Sequence, residues 1–434
     1  MTIIKKSQSE VILFDNLEPE AAAMVLALYS RDPRSVRQHL ERVAEVGAGK
    51  FMSQYYVGYG HKSIGDCGST TICAEHVSML DAKAVQQNPL YNGQEASTRY
   101  LDMTTQAVLN PLGTVQGEQI QMRWMSLYVR ALTELVPYLT EKYPRLDTDK
   151  PEVYAKAIKA KAFDIARAFL PAGCTTFVGW HTNLRQAWDH IRDMMFHPLQ
   201  EVRDVARTML ANLKEKYPNS FGFKTYAEQD EYLNKCSALE YFDLDQSPLF
   251  WSTHRFSKDD RLQKVLVGRP QKTELPDWTN RYGQIQFRFL LDFGSFRDIQ
   301  RHRSCTQVMP LLTTRHGFNN WYIDSLPAEL REHVQANLSD QEVELRTIED
   351  PIIRQYYVAM GYNVACEVTA GLPSAVYIAE LRSGQTVHPT LRLVAQDMGR
   401  TLRNIFPEMA LHCDFTPDEW STARGRHDIV KKEV

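Results

Sequence analysis

The chain lacks the cysteine pattern of a stapled or zinc-bound domain. Its seven cysteines, at 67, 73, 174, 236, 305, 366 and 413, include no Cys-x-x-Cys pair and no Cys/His ligand spacing. That argues against a disulfide frame and a metal site, and it predicts reduced thiols in a cytoplasmic protein. Long hydrophobic runs are also missing. No uncharged stretch reaches the roughly 18 residues of a membrane span, and the opening MTIIKKSQSEVILF has no apolar core ahead of a small-residue cleavage site. Charge of one sign is not in excess, since 50 Lys and Arg face 53 Asp and Glu for a net charge of -3. Bulk nucleic-acid or polybasic membrane binding is thereby disfavoured, while a local anion pocket is not.

What is present suffices for two ordinary domains or one large one: 434 residues, 43% of them hydrophobic. Apolar spacing predicts helices over Pro19 to Tyr29 and Ser35 to Val46. A glycine-rich turn follows, Gly60-His61-Lys62-Ser63-Ile64-Gly65-Asp66, able to bring backbone N–H groups and short side chains to a ligand. Ser69 to Val85 reads as a buried helix or strand pair. Beyond the Asn92-Gly93 turn, Glu95, Ser97, Arg99 and Tyr100 supply a carboxylate, a hydroxyl, a guanidinium and a phenol; in extended backbone the first three share a face. Leu109 to Arg145 and Glu152 to Phe169 read as scaffold helices. The helix carrying Arg167 is expected to stop at Pro171, and Thr182 or Asn183 to cap a further helix bearing Arg185, Asp189 and Arg192.

In the second half an apolar run, Phe287 to Leu291, precedes Arg301-His302-Arg303. Two guanidinium forks flanking an imidazole suit phosphate or carbonyl oxygens, with a histidine that titrates near neutral pH. The halves also repeat each other. Arg192, His197-Pro198, Arg207-Thr208-Met209, Asn212-Leu213 and Tyr217-Pro218 recur in order as Arg382, His388-Pro389, Arg400-Thr401-Leu402, Asn404-Ile405 and Phe406-Pro407. Leu170-Pro171 is matched to Leu372-Pro373. This order predicts a tandem duplication with its boundary near residues 222 to 240, giving copies over 1–225 and 226–434.

The turn Gly60-His61-Lys62-Ser63-Ile64-Gly65-Asp66, with Asp where the family has Glu, and three further motifs together resemble the flavin-dependent thymidylate synthase family, in a divergent, duplicated form. The three are Arg301-His302-Arg303, Glu95-Ala-Ser97-Thr-Arg99-Tyr100, and the block from Ala166-Arg167-Ala-Phe-Leu170-Pro171 to Thr182-Asn183-Leu-Arg185. The family's signature is split here, triplet in one half and Glu-x-Ser-x-Arg-Tyr in the other. The resemblance implies an α+β fold, rich in helix, and a homodimer forming a pseudo-tetramer. It implies FAD as cofactor, with dUMP methylated by methylenetetrahydrofolate and NADPH in a composite site. It further implies that Arg301, His302 and Arg303 grip the flavin and stabilise charge. Ser63, Asp66, Asn183, Arg185 and Asp189 would hold the cofactor, and Glu95, Ser97, Arg99, Tyr100, Arg167 and Arg192 the nucleotide. The alternatives are a non-catalytic nucleotide-binding paralogue and methyl or hydroxymethyl transfer to another pyrimidine nucleotide.

Overall fold

The computed structural model describes residues 10–240, 249–308 and 311–426. Residues 1–9, at the start of the segment read for targeting, 241–248 and 427–434 of the expected second copy, and Met309-Pro310 after the triplet lie outside them. The described residues form two compact units: 10–72 with 181–192 and 206–227, and 73–180 with 193–205 and the remainder from residue 228 onwards.

The first unit opens with helices Pro19–Tyr29 and Val36–Val46. Ser35 caps the second helix by accepting from the Arg37 N–H at 3.4 Å. A π-helical stretch, Met52–Gly58, and a 3₁₀ turn, Lys62–Cys67, follow.

Among the described residues, seven strands make two sheets. β1 (Ser69–Ser78), β2 (Asn92–Glu95) and β3 (Thr175–Asn183) are ordered β1-β3-β2. β4 (Phe250–Phe256), β5 (Gly283–Asp292), β6 (Cys305–Val308) and β7 (Asn363–Gly371) are ordered β4-β5-β7-β6, all antiparallel. Alternation along β5 sends Ile285, Phe287, Phe289 and Leu291 inward, none more than 1% exposed. Phe287 pairs with Val368 and Phe289 with Cys366 on β7. Each such burial contributes about 1.5–3 kcal/mol, which pins the register, because a one-residue slip would turn all four outward. Helices Leu372–Arg382 and Pro389–Ile405 pack on this sheet.

Ser69 to Val85 is thus neither a helix nor a strand pair: it is strand β1 running into helix Met79–Gln86, whose N-cap Ser78 accepts from the Asp81 N–H at 3.1 Å. The Thr- and Gly-rich stretch after Pro171 is β3, its branched residues favouring extended backbone. β1, helix Met79–Gln86 and β2 have 10, 8 and 4 residues; β5, helix Phe293–Ile299 and β6 have 10, 7 and 4. β3 with helices Leu184–Met194 and Gln200–Lys216 has 9, 11 and 17 residues, the same as β7 with Leu372–Arg382 and Pro389–Ile405.

The 3₁₀ turns before β3 and β7, Arg167–Phe169 and Gln355–Tyr357, lead into segments that bond reciprocally. The Ala172 N–H reaches Val358 O at 2.9 Å, and the Met360 N–H reaches Leu170 O at 2.8 Å. Leu170-Pro171 therefore stands opposite Val358-Ala359. The expected match to Leu372-Pro373 is corrected, because that pair opens helix Leu372–Arg382, where a missing proline N–H costs nothing. Arg192 is likewise ninth of 11 residues in its helix and Arg382 eleventh of 11, so the two are not at one helical position.

Candidate functional site

The sequence-predicted residues fall into an exposed charged group on the first unit and, on the second, a group that mixes buried His302 and Arg167 with exposed Arg301, Arg303 and Tyr100. In the first, Arg185 Nη1 meets Asp66 Oδ2 at 2.9 Å and Arg185 Nε approaches Asp189 Oδ2 at 3.6 Å. Lys62 Nζ bonds to Asp189 Oδ1 at 3.3 Å. These side chains are 37–54% exposed. Asn183 caps helix Leu184–Met194 as expected, its Oδ1 accepting from the Gln186 N–H at 2.8 Å. Ser63 is exposed in the 3₁₀ turn. The Arg192 guanidinium stands 5.9 Å from the Trp188 ring centre.

In the second unit the triplet lies just past helix Phe293–Ile299, which Asp292 caps through the Ser295 N–H at 2.8 Å. The three side chains of the triplet do different things. Arg301 is exposed, with no hydrogen-bond partner among the described residues. His302 is buried, and its Nε2 accepts from Arg382 Nε at 2.8 Å, which puts the ring proton on Nδ1. Arg303 donates to Tyr91 O at 2.7 Å and to Asn92 Oδ1. Burial, then the Arg382 charge, push the His302 imidazole down to about 3. The expectation of a histidine titrating near neutrality gives way to a neutral acceptor.

Beside the triplet, Arg297 forms an ion pair with Glu95. Its Nη2 reaches Oε1, its Nε reaches Oε2 at 3.3 Å, and Nη2 also donates to Ala96 O at 3.2 Å. Gln86 Nε2 donates to Glu95 Oε2 at 2.6 Å. Loop 87–91 and the end of β2 are thus tied to the triplet's helix and loop.

The chain is not extended beyond Glu95. Residues 98–100 turn, and Ser97 Oγ accepts from the Arg99 N–H at 3.3 Å. The turn delivers Arg99 to Asp164, Nε to Oδ1 at 2.8 Å and Nη2 to Oδ2 at 3.0 Å, while Glu95 is held by Arg297. Arg424 contacts the same carboxylate, and its guanidinium lies 5.2 Å from the ring centre of Tyr100, whose side chain is exposed.

Arg167, 2% exposed, donates to Ser295 Oγ at 2.8 Å and lies 3.8 Å from Asp292. His388 continues this chain. Its Nε2 donates to Asp164 O at 3.2 Å, while Nδ1 accepts from Thr390 Oγ1 at 2.8 Å. Full burial, then the charges of Arg167, Arg99 and Lys161, hold the His388 imidazole well below its ordinary range. Burial opposes ionisation of Asp298 too, but Arg99, Arg167, Arg382 and Arg301 hold its carboxyl below the usual value.

A cleft of about 540 Å³ opens beside the triplet, lined among others by Lys83, Gln86, Gln300, His302, Arg303 and Gln307. That falls within the roughly 300–1,000 Å³ of small-molecule pockets. Gln86, Gln300 and Gln307 each use the amide NH₂ internally and leave a buried Oε1 without a partner. Orphaned carbonyl oxygens of this kind suit the N–H groups of a flat heterocycle. No group of three or more His, Cys, Asp or Glu able to hold a metal occurs among the described residues, and no described helix is long and apolar enough to cross a membrane.

Sequence reasoning missed Asp164, Arg297, Arg424 and the three glutamines. Asp164 precedes Arg167 by three residues and Arg297 precedes Arg301 by four, one helical turn in each case, a spacing that could have flagged them. Nothing local marks Arg424.

Residues 13–219 match the family of thymidylate synthase complementing proteins. A UPF0159 protein of Chlamydia muridarum is 25% identical, the match covering 83% of this chain and 79% of that protein. A UPF0159 protein of Chlamydia pneumoniae is 24% identical over 85% and 81%, and one of Thermoplasma acidophilum is 23% identical over 83% and 87%. The split signature is therefore part of an α+β, helix-rich protein with relatives of comparable length. Residues 13–219, a little under half of the chain, are thus similar to the thymidylate synthase complementing proteins, the family of the flavin-dependent thymidylate synthases.

Proposed function

We propose that the chain is a fused pair of thymidylate synthase-like copies, residues 1–225 and 226–434, catalysing flavin-dependent reductive methylation of dUMP to dTMP with methylenetetrahydrofolate and NADPH. One observation carries this reading: Arg297 and Arg303, from the second half, bond to Glu95, Ala96, Tyr91 and Asn92 of the first. The segments that carry the two parts of the split signature are thus tied together within a single chain, which supports a composite site. The nearly equal element lengths of the two halves support the fusion.

The residues of the cleft fit a flavin ring or a pyrimidine, because their three orphaned amide oxygens can accept from ring N–H groups. FAD, when bound, supplies the hydride-transfer chemistry. The exposed guanidinium of Arg301 stabilises negative charge on a ring carbonyl. Arg303 fixes the loop, and His302, kept neutral, receives the Arg382 hydrogen bond that orients that loop. Ser97, Arg99 and Arg167 hold the nucleotide phosphate. Ser63, Asp66, Asn183, Arg185 and Asp189 keep the cofactor-holding role given by the resemblance. The assembly proposed is a homodimer.

The deciding experiment is growth rescue of a thymidine-requiring strain, with Arg301→Ala and Arg99→Ala as controls, alongside the absorption spectrum of the purified protein. Rescue by the wild type, lost in both variants, with a bound-flavin spectrum, is expected. A colourless protein that takes up no added FAD would sink the proposal. A second reading, nucleotide binding without turnover, is favoured by Glu95, whose two oxygens are already held by Arg297 and Gln86. It predicts thermal stabilisation by dUMP that is independent of FAD.

A further inference from the structure

The C-terminal segment makes a contact that no motif foretold. Trp420 stacks on Tyr143, with ring centres 4.8 Å apart and planes 11° from parallel, and stands edge-on to Tyr154. Asp418 reaches Lys161 at 3.5 Å, and Thr422 Oγ1 donates to Asp149 Oδ1 at 3.3 Å. A Cβ on Gly425 would come 2.0 Å from Val153 O, so the backbone is seated directly against helix Pro151–Ala166. This seating carries Arg424 to Asp164.

Asp164 then serves two guanidiniums, Arg99 and Arg424, with one negative charge. Arg424, with a side chain 12% exposed, leaves Nε and Nη2 without a hydrogen-bond partner, and Arg167 leaves its Nε so. In this neighbourhood Arg99, Arg167, Arg301, Arg382 and Arg424 face three carboxylates, those of Asp164, Asp292 and Asp298. The excess of two positive charges equals the charge of a phosphate monoester dianion. Buried cationic donors without acceptors are costly, and a phosphate offers several acceptor oxygens at once.

We infer that Arg424, with Arg99, forms a binding site for the phosphate monoester of the nucleotide, so that the C-terminal segment is part of the nucleotide site. This inference rests on the nucleotide reading above and adds to it a residue outside the 13–219 region matched to the family. Phosphate, rather than the base or sugar, is what two guanidinium forks on one carboxylate recognise.

The test is calorimetric titration of the full chain and of Arg424→Gln with dUMP, deoxyuridine and inorganic phosphate, each protein checked by thermal melting. Arg424→Gln is expected to weaken dUMP binding roughly tenfold or more and to leave deoxyuridine unchanged. If that variant melts early, Arg424→Lys replaces it, and its affinity ratio of dUMP to deoxyuridine must still fall. Equal weakening of dUMP and deoxyuridine, or no weakening of either, overturns the inference. A wild type that ignores dUMP but binds inorganic phosphate through Arg424 overturns the inference together with the substrate reading, whereas a wild type that binds dUMP without dependence on Arg424 overturns the inference alone. A wild type that binds none of the three probes overturns the inference.

Discussion

The same residue types do opposite work in the two charged regions. On the first unit Asp66, Arg185, Asp189 and Lys62 meet at the surface, with side chains 37–54% exposed. On the second, Glu95, Arg297, Asp164 and Arg99 meet with side chains 3–13% exposed. Water and salt screen the first set, so each pair contributes little, and its groups remain available to a ligand. The second set has been taken out of water, so each partner holds the other against a large desolvation penalty. A motif residue in the buried set is therefore also a structural residue, and removing it disturbs fold and function together.

The largest expected effect is at the buried pair. Glu95→Ala should destabilise the protein by about 3–5 kcal/mol, because it leaves the Arg297 charge uncompensated, as read by chemical denaturation. The double change Glu95→Leu with Arg297→Met should recover most of that loss. If it recovers none, the pair is more than an ion pair.

Acid should act next. His302 titrates near 3 in the folded protein and near 6.5 when unfolded. The unfolded chain thus binds more protons between those values, and stability must rise with pH across that window. At full effect one such histidine contributes a slope of about 1.4 kcal/mol per pH unit. Denaturation midpoints of His302→Asn between pH 4 and 6 should show a shallower slope than the wild type, the remainder coming from groups such as His388. Equal slopes would mean that His302 is not held neutral.

At the surface set, Arg185→Ala should cost no more than about 1 kcal/mol and lose even that at high salt. A larger, salt-insensitive cost would erase the contrast between the regions. The smallest stability effect belongs to Arg301→Ala, within about 0.5 kcal/mol, while growth rescue is lost. That split between fold and function would single out Arg301 as the member of the triplet that faces a ligand.

How much of this was legible depended on whether the causes were local. Helices Pro19–Tyr29 and Val36–Val46 and the cap at Asn183 follow from spacing and short-range capping. The strand-then-helix form of Ser69 to Gln86 was not legible, because a short apolar run fits either state until sheet partners arbitrate. Glu95, Ser97 and Arg99 were expected on one face of an extended segment, but the chain turns at 98–100 and delivers Arg99 to Asp164 while Glu95 pairs with Arg297.

The sequence by itself determined which candidate residues stand together in motifs and at what spacing. Only the tertiary structure decided which of them remain available. Burial makes His302 a neutral acceptor, pairing occupies Glu95 and Arg99, and a segment more than 250 residues from Asp164 in sequence supplies Arg424. Charge and desolvation depend on what surrounds a group in space, and that information is spread over the whole chain.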